Sequence, residues 1–200
     1  MFSKLNNNDS VQVFFGDIDD EIVKVQAEKN LFPHIYTEVS NDTLHVYLSK
    51  NIKPSKKINI YLGAKKLSEI TTTGTVILTS EGGFKADSLK IHANGISQIS
   101  ILRLVCNHLH VDIDGSSTVN LKGSALEQEV SMKGASVYKA LGLLTDLTTI
   151  SISGAGKAWV NAKERLNLSL QGAAYLGFSG DPEIQKSITG VGRLEQLEDR

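Results

Sequence analysis

Few residues of this 200-residue chain gain chemistry from their spacing alone. Asp112 and Asp114 stand two apart in VDIDG, so an extended backbone carries both on one face. Such a pair could hold a cation, hydrogen-bond a sugar, or serve polysaccharide cleavage as acid and base. His92, one repeat upstream, is expected to lie above Asp112. The stretch CNHLHVD places Cys106, His108 and His110 at alternate positions, and a regular strand would point all three to one side. That spacing resembles metal ligation, but no second cluster completes four ligands, and neither a metal nor another cofactor is expected. Trp159 and Tyr175 fall at offsets that point outward, where an aromatic ring could stack on a sugar or be covered by a loop or neighbouring chain. The chain has no GxSxG, and GAG at 154–156 lacks the third glycine of a dinucleotide fingerprint.

The elements that must carry these residues are set by a repeat. Gly74, Gly95, Gly115, Gly134, Gly154, Gly172 and Gly190 follow one another at steps of 21, 20, 19, 20, 18 and 18 residues. Four before the glycine stand Ile70, Ile91, Val111, Val130, Ile150 and Leu168, a column that Lys186 breaks. Two before stand Ala93, Ile113, Met132, Ile152, Leu170 and Ile188. Four after stand Leu78, Ile99, Val119, Tyr138, Ala158, Leu176 and Leu194. Three before, the column is polar: Thr71, His92, Asp112, Ser131, Ser151, Ser169, Ser187. Each repeat therefore carries two strands of period 2, one on each side of the glycine. Stacked coils demand the same side-chain type at the same offset, whereas an antiparallel stack of hairpins does not. The pattern predicts an all-β parallel β-helix, a solenoid of coils of about 18–21 residues. The glycine is expected at a sharp corner, followed by a small residue that keeps the corner narrow. A second set of turns is expected at Gly82-Gly83, Gly123, Gly142, Ala162 and Gly180.

Residues 1–66 read differently and are expected to be strands that pack on or cap the repeats of 67–200. Val11–Phe15 is a strand stopped at Gly16-Asp17, and Glu21–Ala27 is a second. Asn30–Pro33 is a connection. Ile35–Val39 and Thr43–Leu48 flank a polar Ser40-Asn41-Asp42 turn and predict a hairpin. Ser49–Lys57 carries Pro54 and four lysines and reads as a solvated loop before the strand Ile58–Leu62.

Composition narrows the function classes. With 21 basic against 22 acidic residues there is no basic field for nucleic acid. One cysteine rules out an intrachain disulfide. No apolar run approaches the ~18 residues of a membrane span. MFSKLNNNDS has no hydrophobic core of a signal peptide, so the chain is expected to be either a mature exported segment or cytosolic.

The repeats ISISGAGKAWVNA (150–162), LNLSLQGAAYLGFSG (166–180) and IQKSITGVGRLEQL (184–197) resemble the putative auto-transporter adhesin "head GIN" domain family. So do VQVFFGD, DTLHVYLSK and KKINIYLGAKKLSEITTTGTVIL upstream. The resemblance implies a β-helical bacterial domain of unknown function, exported to the periplasm or cell surface. Its implied role is adhesin-like binding of a glycan or protein, or structural support, without catalysis. Trp159, Tyr175, His92, Asp112 and Asp114 are the candidate contacts. The alternative is a carbohydrate-active β-helix enzyme built on Asp112 and Asp114.

Overall fold

The computed structural model describes residues 2–16, 22–49, 57–63 and 66–198. The lysine-rich connection falls largely outside them, at 50–56, as do Asp17 and Glu21 at the edges of two expected strands. Short strands come first: β1 (Lys4–Asn7), β2 (Gln12–Gly16), β3 (Val23–Gln26), β4 (Ile35–Ser40), β5 (Thr43–Leu48), β6 (Asn59–Gly63), β7 (Glu69–Thr72) and β8 (Thr75–Ser80). The repeat region follows as long bent strands: β9 (Phe84–Gly115), β10 (Thr118–Gly134), β11 (Val137–Gly154) and β12 (Lys157–Gly172). It closes with β13 (Tyr175–Ser179), β14 (Glu183–Gly190) and β15 (Arg193–Gln196). The connection at Asn30–Pro33 is a 3₁₀ turn, Lys29–His34.

The expected parallel coils are present. Gly134 pairs with Gly115 on one side and Gly154 on the other, and the register continues to Gly172 and Gly190. The result is a β-solenoid of about 6 turns. Inside it the columns fill as the alternation demands: Ile70, Ile91, Val111, Val130, Ile150 and Leu168 are all buried. Each such side chain contributes about 1.5–3 kcal/mol by leaving water. A second column runs Leu78, Ile99, Val119, Tyr138, Ala158, Leu176, where the large Tyr138 is accommodated beside the small Ala158 and Ala140. Burying that phenol requires a partner. Its hydroxyl donates to Gln128 Oε1 at 2.8 Å, and Gln128 Nε2 donates to Thr145 and Thr148 at 3.1 and 2.9 Å.

Each coil has three straight segments rather than the two expected. Between Thr118 and Gly134 the inward residues are Val119, Leu121, Ala125, Gln128, Val130 and Met132. The run of inward side chains is interrupted at Gly123, where the register to the neighbouring coil shifts, and the period of two slips after Ala125; these breaks are the second and third corners. The short segment around Ala125 carries Cys106, Ala125 and Thr145 inward.

The glycine corner departs from expectation in one detail. The residue directly after glycine is exposed and can be large, as at Ile96 and Val191. The second residue after it is the buried small one: Ser97, Ser117, Ser136 and Ala174. Glycine itself is required twice over. Gly154 has φ +115°, and a Cβ there would lie 2.7 Å from the Gly134 carbonyl oxygen. At the second corner a Cβ on Gly123 would meet Leu104 O at 2.0 Å.

The N-terminal strands enter the same sheet. β1 lies parallel between β5 and β7, and β2 lies parallel between β6 and β8. β4 and β3 close that end as antiparallel edges. The β4–β5 hairpin turns through Asn41 and Asp42, with φ 47° and 62°, the left-handed pair of a two-residue turn. At the other end, β14 is exposed along its whole length, and Lys186 replaces the aliphatic residue of its column. A charge at an inward position discourages another coil from stacking.

Two outcomes follow. Gly154→Ala is expected to lower stability by about 3 kcal/mol, from backbone strain and the clash together, whereas Ala155→Ser changes it by less than about 0.5 kcal/mol. Urea unfolding measures both, and equal stabilities would show that glycine is not needed at this corner. Lys186→Ile is expected to make the molar mass in light scattering rise with concentration. A mass identical to wild type at every concentration would remove the guarding role of Lys186.

Candidate functional site

Two outer faces hold the residues singled out above. The first comprises the segments that lead into the glycine corners. Their register stacks His110 on Glu129, His108 on Glu127, Asp112 on Ser131 and Asp114 on Lys133. His92 and Asp112 are brought together, with Nδ1 3.1 Å from Asp112 Oδ2. The same oxygen receives His110 Nε2 at 2.9 Å. His110 Nδ1 lies 3.2 Å from Glu129 Oε2, so this ring serves both carboxylates only with a proton on each nitrogen. His108 Nδ1 lies 3.3 Å from Glu127 Oε2. A groove of about 650 Å³ runs beside the ladder and is lined by Lys90, His108, His110, Glu129, Arg165 and Asn167, among others. Asp114 stands exposed beyond the ladder.

General-acid catalysis needs a carboxyl group facing a substrate atom. Asp112 instead turns one oxygen to two imidazoles, and its neighbour in the next coil is a serine. The polar contacts of this face are internal, between its own imidazoles and carboxylates within and across coils.

Cys106 does not join His108 and His110. It points into the core while both histidines point out, because the third corner falls between Cys106 and Leu109. The expected single-sided alternation fails there. Among the described residues, no group of three or more His, Cys, Asp or Glu side chains is placed to hold a metal ion. Burial, and secondarily the charge of Asp87, pushes the Cys106 thiol up to about 11.

The second face lies after the glycine corner. Asn120, Lys139, Trp159, Gly177 and Glu195 stack on it in one column. Trp159 and Tyr175 do point outward, each half-buried, with ring centroids 5.6 Å apart and planes at 55°. Tyr175 Oη donates to Glu195 Oε2 at 3.1 Å, and Arg193 Nη2 holds the same oxygen at 2.9 Å. Partial burial and then Glu195 raise the Tyr175 hydroxyl above its ordinary range, with Arg193 and Trp159 opposing. Glu127, Glu129 and Glu195 escaped the sequence reading. They would have appeared had the columns five and seven before the glycine, and five after it, been aligned as well.

A polar-and-aromatic surface on a continuous parallel coil stack defines the class: a β-solenoid whose side chains are displayed in cross-coil columns. The chain belongs to the family described as "Putative auto-transporter adhesin, head GIN domain", whose model matches residues 1–182. Among solved structures it is similar to one described as a putative adhesin from Bacteroides fragilis, at 25% identity and TM-score 0.87, covering 98% of this chain and 92% of that one. It is also similar to a protein described as a putative lipid binding protein from Parabacteroides distasonis, at 21% identity and TM-score 0.77, covering 98% and 93%. A putative adhesin from Parabacteroides merdae aligns at 20% identity and TM-score 0.72, covering 98% and 92%. No curated protein matches the chain. Among the described residues, no helix is long and apolar enough to cross a membrane.

The inward thiol has a measurable consequence. A rise from 9.0 to about 11 leaves about a hundredfold less thiolate at neutral pH, so native Cys106 is expected to react with an alkylating probe at least that much more slowly than after unfolding. Folding retains the thiol proton, so the contribution of this site to stability is complete below pH 9 and is lost as pH rises through about 11. Equal labelling rates in native and unfolded protein would place Cys106 at the surface.

Proposed function

We propose that this chain is a non-catalytic, adhesin-like binding domain of the bacterial cell envelope, exported and presented at the surface. The observation that carries this reading is the locking of outward polar groups by neighbours in the same strand and one coil away. Asp112 is fixed by His92 and His110, and Tyr175 by Glu195 and Arg193. Such groups form a stiff surface of fixed pattern, which suits recognition of an extended ligand more than proton transfer. Family membership and the description of the Bacteroides fragilis structure as a putative adhesin support the same reading.

A second reading has its own observation. Leu102, Val105, Leu126 and Leu144 are exposed around the narrow segment between the second and third corners. That stripe would suit a lipid, and the Parabacteroides distasonis structure is described as a putative lipid binding protein. The carbohydrate-active enzyme is the less supported alternative, since it needs Asp112 as a reacting acid.

Beads coated with the purified domain are expected to adhere to immobilised glycans or cell surfaces, and the protein is expected to leave a broad panel of polysaccharides uncut. Cleavage of any panel member that disappears in Asp112→Ala or Asp114→Ala would overturn the non-catalytic reading.

A further inference from the structure

The face around Trp159 is shaped by a missing side chain. Its column runs Asn120, Lys139, Trp159, Gly177, Glu195, and the glycine is the feature that sets the indole. A Cβ at Gly177 would come within 2.9 Å of Trp159 Cδ1, 3.0 Å of Leu197 Cδ1 and 3.0 Å of Tyr175 Oη. The missing side chain therefore lets the indole fold down over the next coil, hemmed by Tyr175 and Leu197. Gly177 has no corner to make, because it lies mid-strand in β13. Its role is to seat the ring.

Two grooves meet at this indole. One, of about 450 Å³, is lined by Asn120, Lys122, Lys139, Leu141, Gly142 and Trp159. The other, of about 690 Å³, is lined by Trp159, Asn161, Ser179, Glu195 and Gln196, with Leu141, Leu197 and Glu198. The ion pairs among the described residues leave Lys122 and Lys139 without an acidic partner. The surface thus offers a half-buried aromatic ring, with the amides of Asn161 and Gln196 and the carboxylates of Glu195 and Glu198 on one side of it, and two uncompensated ammonium groups on the other.

Those three features match one ligand chemistry. A pyranose presents an apolar C–H face and a rim of hydroxyls, which suits an aromatic ring flanked by hydrogen-bonding side chains. A carboxylate on an adjoining sugar would answer the lysines, each a compact point charge on a flexible stem. We infer that this ledge binds an acidic oligosaccharide along the solenoid axis, with one pyranose stacked on Trp159 and a uronate carboxylate on Lys122 and Lys139. The inference rests on the surface-binding reading above and specifies its site and ligand.

Trp159 is the only tryptophan of the chain, so its emission reports this position directly. Hexauronates of galacturonate, mannuronate and guluronate are titrated into the whole chain at low salt, with cellohexaose as the neutral control. At least one hexauronate is expected to change the emission saturably, and added salt is expected to weaken it. The Lys122→Ala/Lys139→Ala double variant, whose exposed side chains carry no core packing, is expected to bind at least tenfold more weakly. Trp159→Ala, followed by calorimetry, is expected to lose at least tenfold, and Lys85→Ala, at an exposed position away from the ledge, to bind as wild type. Calorimetric binding with unchanged emission, undiminished affinity in Trp159→Ala, equal affinity for cellohexaose, or no binding of any hexauronate would each overturn the assignment. If the coated beads still adhere in that event, only this site and ligand fail. If adhesion is lost as well, the surface-binding reading fails with it.

Discussion

The whole structure depends on one contact, the carbonyl of each corner glycine accepting an N–H from the coil above it. Gly95 O receives Ser116 N at 2.9 Å, Gly115 O receives Ala135 N at 3.1 Å, and Gly134 O receives Ala155 N at 3.0 Å. Gly154 and Gly172 repeat it with Ala173 and Val191, at 2.9 and 3.0 Å. The backbones approach so closely here that a Cβ has no room, and the left-handed turn is one that only glycine adopts cheaply. Each bond contributes about 0.5–1.5 kcal/mol net, but its larger effect is on register. A slip of one residue would turn every inward side chain outward.

With the register fixed, each offset from the glycine becomes a column, and the properties of the surface follow. The −3 and −5 columns bring His92, Asp112, His110 and Glu129 into one chain of contacts. The +5 column sets Trp159 against Gly177. A side chain on such a face is held by partners about 20 residues away in sequence, as Asp112 is by His92. The outer faces are consequently stiff, and their chemistry is that of a patterned surface. The interior obeys the same rule, since Tyr138 is tolerated because Ala158 is small and Gln128 can satisfy its hydroxyl.

Much of this was legible in the sequence because parallel coils repeat their demands. The glycine step, the inward columns at −4, −2 and +4, and the outward direction of Trp159 and Tyr175 all follow from period and offset. The short third segment was not legible. It spans only Ser124–Leu126 in one coil, too few residues for an alternation to declare itself, and so the alternation alone puts Cys106 on the wrong side. The small residue of the corner was placed one position early, because the motifs GSS, GAS and GAA contain small residues at both places and only packing distinguishes them. The partners of the histidines lay in columns whose residue types vary from coil to coil. Proximity there comes from register and leaves no mark on composition.

Hydrogen exchange at the corner amides tests the central claim most directly. Ala135, Ala155 and Ala173 have exposed side chains, yet their N–H groups are bonded to the glycine carbonyls of the preceding coil. If those bonds hold the register, the three amides exchange only with global unfolding, as slowly as core amides such as those of Val130 and Ile150. Exchange within seconds, at the rate of an open surface turn, would contradict the account.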